Sequence, residues 1–311
     1  MKNKWKNLKR EMKKNRQLYF IVLPVVLFYI IFRYGPMYGS IIAFMDYRPA
    51  KGFFGSDWVG LKHFSKFFND TYFLRVIRNT ILISVYSIVF SMPAAIIFAL
   101  LINEIRNSKF KKTVQTISYL PHFVSLVVIC GMLKEFLGSD GIITSIFSFL
   151  GGERKNLLMV PEYYKTIHVA SGIWQTVGWN TIIYLSAMSS IDQEQYEAAD
   201  LDGAGRFAKM RYITIPCILP TITIMFIMKL GQVMSVGYEK ILLLSNTANR
   251  EAAQVISSYV YDLSLGASYP QYSYSSAVGL FTSVINLLLV TLGNKICKML
   301  NGSGLWQEVT E

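Results

Sequence analysis

The amino-acid sequence predicts an all-α membrane protein with six transmembrane helices and both termini in the cytoplasm. Of its 311 residues, 52% are hydrophobic and 16% are charged, whereas a soluble domain usually has about 25% charged residues. The apolar residues are concentrated in runs close to the roughly 20 residues that a helix needs to cross a bilayer. The net charge of +12 comes mainly from residues outside these runs.

Each transmembrane helix is predicted from one apolar run. The first run contains Arg33, the second contains Pro93, the fourth is the least apolar, and the fifth contains Lys229 and Lys240. The six predicted spans are residues 18–44, 81–102, 114–133, 166–189, 219–244 and 277–293. The apolar stretch 141–150 is too short to cross and predicts an interfacial or buried loop helix. The N-terminus is similar to a signal sequence but has no clear cleavage site, so we interpret it as a retained first helix.

The orientation follows from the distribution of lysine and arginine between the loops. One side of the predicted topology carries seventeen of these residues, eight of them in residues 2–16, and the other side carries eleven. Because basic loops stay in the cytoplasm, both termini are expected there. We therefore predict a basic cytoplasmic N-terminus (1–17), a membrane domain (18–298) and a cytoplasmic tail (299–311) of a multi-pass bacterial plasma-membrane protein.

Several functions are excluded by what the sequence does not contain. The three cysteines and three histidines are dispersed, so neither a metal site nor a disulfide framework is expected. No glycine-rich phosphate-binding loop and no catalytic constellation is present, so we expect neither ATP hydrolysis nor enzyme activity in this chain. The basic charge is explained by topology and attraction to membrane lipid rather than by nucleic acid.

The loop 191–218, between the fourth and fifth spans, has the most distinctive pattern. Asp192 is a candidate helix cap, and Gly203 suits a helix end and a turn. A second short amphipathic helix is predicted from Phe207 onward, ended by Pro216 and Pro220. Two short helices with small residues at the turn allow close approach of another protein. An ordinary amphipathic loop is the alternative.

This loop resembles the EAA loop of ABC importer permeases, and the stretches 33–39, 58–64, 78–80, 115–122 and 277–286 resemble permeases of polysaccharide or complex-oligosaccharide importers. Ile215 and Met210 depart from the usual leucine and aromatic residue. By this resemblance, the residues that contact the ATP-binding subunit are Glu197, Ala198, Ala199, Asp202, Gly203, Ala204, Phe207, Ile213 and Pro216.

The resemblance implies a type I ABC importer permease fold and a set of partners. These are a second homologous permease, two ATP-binding subunits that hold ATP and magnesium, an extracellular solute-binding lipoprotein and a carbohydrate substrate. The implied function is ATP-driven import of oligosaccharides by alternating access. The alternatives are an importer for another solute such as a peptide, a self-contained secondary transporter, and a membrane enzyme.

A substrate path is predicted from polar residues in the fifth and fourth spans. Helical spacing places one stripe of the fifth span on a single side, made of Met225, Met228, Lys229, Gln232, Ser235 and Glu239, and all of these except Met228 are assigned to the path. The fourth span contributes Trp174, Trp179, Asn180 and Tyr184. Lys229 on such a path would suit an acidic sugar, and a tryptophan could stack on a sugar ring. Packing between helices explains the stripe equally well, and an interfacial aromatic belt explains the tryptophans.

Overall fold

The computed structural model describes residues 14–302, 304 and 305. Most of the predicted N-terminal segment 1–17 and most of the predicted tail 299–311 lie outside these residues. The described part is built from helices and one two-stranded antiparallel sheet, in which Met45 pairs with Trp58.

The first half of the chain forms α1 (Arg16–Phe44), β1 (Met45–Asp46), β2 (Asp57–Trp58), α2 (Lys62–Phe68), α3 (Phe73–Asn103), α4 (Ser108–Phe123), α5 (Leu126–Leu137) and α6 (Ile142–Phe149). The second half forms α7 (Pro161–Ser189), α8 (Gln193–Leu201), α9 (Arg206–Leu230), α10 (Tyr238–Leu244), α11 (Arg250–Ala253), α12 (Ile256–Leu263) and α13 (Tyr272–Asn301).

Four helices in the described part, α1, α3, α9 and α13, are long and apolar enough to cross a membrane, and the bent pair formed by α4 with α5 and α6 raises the number to five. The predicted fourth span corresponds to α7, which has 29 residues and is therefore about 44 Å long. It is less apolar than the others, as its sequence indicates. The total of six spans and the side on which each terminus lies remain predictions.

The predicted third span, 114–133, is wrong as a single straight helix. Ser108–Phe123 and Leu126–Phe149 meet at an angle of 98°. The break occurs because Pro121 opens a short 3₁₀ turn and Val124 is extended. Ser125 then caps the next helix by accepting a hydrogen bond from the Val128 N–H. The apolar stretch 141–150 forms the short helix α6, as expected.

The predicted fifth span, 219–244, is also wrong as one helix, because α9 ends at Leu230 and α10 begins at Tyr238. Side chains of other helices pair with the backbone of the intervening segment 231–237, which we call the α9–α10 turn. Ser84 of α3 donates to the Val233 carbonyl at 2.6 Å, and Asn286 of α13 accepts from the Met234 N–H at 3.0 Å. Ser257 donates to the Val236 carbonyl. These bonds satisfy backbone groups that a continuous helix would pair internally.

Three clusters of buried apolar residues hold the bundle together around the packed pair α3 and α7. One lies between α5, α10 and α7, with Tyr164 fully buried. A second joins α2, α12 and α13 around Phe67. The third packs α3, α7 and α9 around Ile218 and supports the loop that follows α7. By contrast, no residue of Arg16–Met37 in α1 is buried, so this part of the helix is left to lipid or another chain, whereas the end of α1 packs against α13 and buries Ala43.

Helices α4 and α7 approach each other closely at Gly178. A Cβ atom at this position would lie 2.2 Å from the Ser118 carbonyl oxygen and 2.5 Å from its carbon. Because both atoms belong to the backbone of α4, the neighbour has no side chain to move aside. Glycine is therefore required at this contact.

A hydrogen-bond network is centred on the carboxylate of Asp70, which lies between α2 and α3. Its Oδ2 accepts hydrogen bonds from the hydroxyls of Tyr259 at 2.6 Å and Tyr274 at 2.7 Å. Its Oδ1 accepts from the Tyr72 N–H at 2.8 Å. Partial burial raises the pKa of Asp70, but the hydrogen bonds from Tyr259, Tyr72 and Tyr274 outweigh it and hold the pKa below its usual value. One carboxylate thus connects α3, α12 and α13.

We predict that Gly178→Ala destabilises the protein by about 1–3 kcal/mol, the usual cost of overpacking a tight contact. The measurement is the melting temperature in mild detergent. Gly279→Ala is the matched control, since a Cβ there meets no atom within 4 Å and alanine favours a helix. A Gly178→Ala protein that melts at or above the wild-type temperature would contradict the close approach.

We also predict that Asp70→Asn lowers the melting temperature at pH 7. The folded-state pKa of Asp70 is depressed, so its stabilisation is present above the unfolded-state pKa and is lost as pH falls through the folded-state pKa. The wild type should therefore lose its advantage over Asp70→Asn on acidification below about pH 4. The control is Asp140→Asn, whose side chain is 93% exposed and should change the melting temperature little. Equal melting temperatures for Asp70→Asn and wild type at pH 7 would count against the network.

Candidate functional site

The loop after α7 is ordered by local hydrogen bonds. Asp192 caps α8 by accepting from the Glu194 N–H at 3.0 Å, as predicted. The helix ends in a turn where Gly203 has φ +75°, a conformation that glycine adopts without strain. The Ala204 N–H donates to the Ala199 carbonyl at 2.8 Å across this turn. These contacts fix the direction in which the chain leaves α8.

The second half of the loop differs from the prediction of a separate short helix. Arg206–Leu230 is one helix that runs from the loop into the apolar bundle. A π-helical turn, Met210–Thr214, is followed directly by Ile215 in α-helical conformation. Pro216 lies at the start of the regular α-helix and Pro220 lies inside it, so neither proline ends the helix. The widened turn lies where the missing N–H of Pro216 would otherwise bond the Tyr212 carbonyl.

Side-chain contacts attach α8 to the start of α9. The Tyr196 and Thr214 hydroxyls are 2.9 Å apart, and Lys209 Nζ donates to Asp200 Oδ1 at 2.7 Å. Tyr196, Met210 and Ile213 also pack against the apolar cluster around Ile218. The loop is therefore connected to the bundle by polar bonds and apolar packing, and α8 and α9 should move together.

The exposed surface of this loop contains most of the residues carried over from the family pattern. Glu197, Ala198, Asp202, Gly203, Phe207 and Pro216 are exposed, while Ala199, Ala204 and Ile213 are half-buried. Leu201 is 91% exposed and Tyr212 is 73% exposed, and the sequence prediction missed both. Their signal was a large apolar side chain placed among charged neighbours. The surface combines small residues and carboxylates with exposed apolar groups, and large apolar side chains grouped on an exposed surface are typical of a protein or membrane interaction site.

A polar cavity of about 390 Å³ lies where α3, α7, α9 and α10 meet. The predicted path residues Lys229, Gln232 and Ser235 line it. Gln175 and Thr176, polar residues of the predicted fourth span, also line it, and the polar lining residues outside the prediction are Ser84, Ser87, Ser91, His168 and Lys240. The prediction missed them because hydropathy alone does not show which face of α3 or α7 meets the α9–α10 turn.

A narrow cleft adjoins this cavity and shares Ser87, Ser91 and Lys229 with it. The predicted residues Asn180, Tyr184 and Met225 line the cleft. Lys229 therefore lies where the two spaces meet. Together they bring six of the nine predicted path residues into one continuous region.

The other three predicted path residues lie elsewhere. Glu239 is exposed on α10, beyond the end of α9, so the single-helix stripe that included it is wrong. Trp174 lines a separate apolar pocket between α5, α6 and α7. Trp179 stacks on His122, with ring centroids 4.4 Å apart.

No group of three or more metal-ligating side chains occurs in the described residues. The lining of the cavity instead offers hydroxyl, amide and ammonium groups, which suit hydrogen bonding to a polar solute. Fold and site together define a membrane protein with a polar internal space and an exposed loop continuous with a long apolar helix.

Comparison with known proteins gives the family. Residues 79–296 match the family described as binding-protein-dependent transport system inner membrane component, and the chain belongs to it. The chain is 40% identical to the polygalacturonan/rhamnogalacturonan transport system permease protein YteP of Bacillus subtilis (strain 168), over 98% of this chain and 95% of the relative. Protein LplB of the same organism is also 40% identical, over 95% and 92% of the two chains.

A solved structure has the same fold. The chain superposes with a TM-score of 0.85 on a chain of a bacterial alginate ABC transporter, crystallised in complex with an alginate pentasaccharide-bound periplasmic protein. The two chains are 36% identical, and the match covers 95% of this chain and 99% of the other. The predicted permease family and the membrane location are confirmed.

We predict that Tyr196→Phe loosens α8 from α9 without unfolding the bundle. Loss of one hydrogen bond worth about 0.5–1.5 kcal/mol should raise amide hydrogen exchange in α8 by roughly two- to tenfold. Tyr212→Phe is the control, because Tyr212 is 73% exposed and its hydroxyl lies outside this contact. Exchange in α8 that is the same for Tyr196→Phe, Tyr212→Phe and wild type would contradict the proposed attachment.

Proposed function

We propose that this chain is one of two permease subunits of an ATP-driven importer of oligosaccharides or polysaccharide fragments. The observation that carries the proposal is the continuity between the exposed loop and the polar cavity. The loop begins α9, and the residues that follow the other end of α9 line the cavity. A displacement applied to the loop therefore reaches the lining of the cavity through one helix.

The residues predicted to couple the permease to ATP hydrolysis form the surface that docks on a partner. The Ala198 and Gly203 side of the turn admits close approach, Glu197 and Asp202 supply charge, and Phe207 supplies an apolar contact. ATP and magnesium are held by two ATP-binding subunits, and this chain contributes no catalytic residue. ATP binding closes those subunits, the docked loops move together, and the bundle opens toward a solute-binding lipoprotein outside the cell.

The membrane arrangement is six spans with both termini in the cytoplasm. In this arrangement α7 crosses as the fourth span, and α4 with the bent α5–α6 segment supplies the third. Residues 18–298 form the membrane domain in this arrangement, with the basic segment 1–17 and the tail 299–311 on the cytoplasmic side. The unburied part of α1, Arg16–Met37, is available to pack against lipid or the second permease.

The polar cavity and its adjoining cleft are the substrate path. Gln232, Ser235 and Asn180 offer hydrogen bonds to sugar hydroxyls, Lys229 lies at the junction, and Met225 and Tyr184 complete the cleft. Glu239, Trp174 and Trp179 lie outside these spaces, and we leave them out of the path. The names of the relatives favour a saccharide over the peptide that the sequence left open.

We predict that tagged wild-type protein, purified in mild detergent from its native membrane, carries a second permease and an ATP-binding subunit that mass spectrometry identifies. Gly203→Glu should lose the ATP-binding subunit and saccharide uptake but keep the second permease. The reason is that a bulky charged side chain then projects from the exposed turn.

The control is Gly203→Ala, which shares the backbone strain of a side chain at φ +75° without the bulk. It should retain the ATP-binding subunit and most of the uptake. Recovery of the wild-type chain alone would overturn the importer assignment. Normal uptake by Gly203→Glu would remove the coupling role from this loop.

A further inference from the structure

Two lysines face the polar cavity, one from each side of the α9–α10 turn. Lys229 lies in the last turn of α9, and Lys240 lies in the first turn of α10. Both line the cavity, whose described lining contains no aspartate or glutamate. The cavity therefore has one sign of formal charge.

Lys240 is only 9% exposed. Its ammonium group donates to the His168 carbonyl at 2.8 Å, which uses one of its three N–H donors. Within residues 14–302, 304 and 305, no carboxylate lies within ion-pairing distance of it. A carbonyl dipole is a weak substitute for an anion, since a buried charge is normally paired.

Lys229 is exposed to the space where the cavity meets the cleft. It too lacks an ion pair in the part of the chain that the structure describes. Ionisable residues inside a membrane bundle usually pair with one another or mark a substrate pathway. Two ammonium groups at one cavity, neither of them paired with a carboxylate of the described residues, mark a place for an anion.

The other polar residues of the cavity lining indicate which chemical groups the anion carries besides its charge. Gln175 and Gln232 present amides, and Ser87 and Ser91 present hydroxyls, which suit the hydroxyls of a sugar. The flexible ammonium groups attract a carboxylate as point charges. The occupant thus combines carboxylates with many hydroxyl groups.

We propose that the cavity selects saccharides that carry carboxylates, with Lys229 and Lys240 binding successive uronate groups as the chain passes. This inference rests on the proposed function, and it adds the charge class of the substrate and the two residues that recognise it. A neutral saccharide of the same length meets the same hydrogen-bonding groups but leaves both ammonium groups unpaired.

The test uses the complete transporter in proteoliposomes with its solute-binding protein. ATP-driven uptake is measured for a mixed-length pool of pectin-derived oligogalacturonides and for the same pool after reduction of its carboxyl groups, each at a saturating concentration. Wild type should prefer the acidic pool. Lys229→Gln and Lys240→Gln should each lower acidic uptake by about tenfold, the loss typical of one charge-assisted hydrogen bond. Neutral uptake should change less than about twofold.

Two further variants separate charge from packing. Lys229→Arg keeps the charge and should retain most of the acidic uptake. Because this comparison uses the acidic pool alone, it remains valid when the solute-binding protein does not bind the neutral pool. Lys134→Gln removes a lysine on α5 that does not line the cavity, and it should behave as wild type.

Several results would overturn the inference. They are unchanged acidic uptake in both glutamine variants, equal losses for the acidic and neutral pools, or acidic uptake that Lys229→Arg fails to retain. Loss of the second permease from either glutamine variant would instead assign the lysines to pairing between subunits. A wild-type preference for the neutral pool would refute only the proposed negative charge of the substrate. Failure of the wild type to import either pool would refute the proposed function as well.

Discussion

Backbone hydrogen bonding inside an apolar bundle is the constraint on which the rest of this structure depends. The chain stops being helical between Leu230 and Tyr238, in a segment where water cannot be relied on to pair the freed N–H and carbonyl groups. Ser84 and Asn286 meet that need from α3 and α13. Because these partners come from distant parts of the chain, the interruption fixes how three helices are positioned.

The cavity is a consequence of this interruption. A straight helix through residues 231–237 would carry its side chains past α7 at regular intervals. The turn instead places Gln232 and Ser235 on the lining of the same cavity and brings Lys240 into contact with the His168 carbonyl. The Asn286 amide also donates to the Ser235 hydroxyl at 2.8 Å. The same residues that satisfy the backbone therefore also orient part of the polar lining.

The comparison of sequence with structure separates local from tertiary information. The cap at Asp192 and the turn at Gly203 depend on neighbours within a few residues, so their pattern was sufficient to predict them. The end of α9 depends on Asn286, 52 residues from Met234, and hydropathy shows only a continuous apolar run there. The break near Pro121 lies between these cases, because its proline and the capping Ser125 are local features, whereas the average hydropathy of the run indicates one continuous span. The lining of the cavity by residues such as His168 follows from helix packing alone.

The uninterrupted course of α9 gives the molecule a mechanical property. Its 25 residues correspond to a rod of about 37 Å, with the exposed loop at one end and the α9–α10 turn at the other. Pivoted near its loop end, such a rod amplifies small rotations: a tilt of about 5° displaces its far end by roughly 3 Å, which is on the order of two residues of helical rise. Angular error is amplified in the same way. The tight attachment of α8 to α9 is therefore needed to transmit motion, since a free rotation of a few degrees between the two helices would cancel the displacement at the far end of α9.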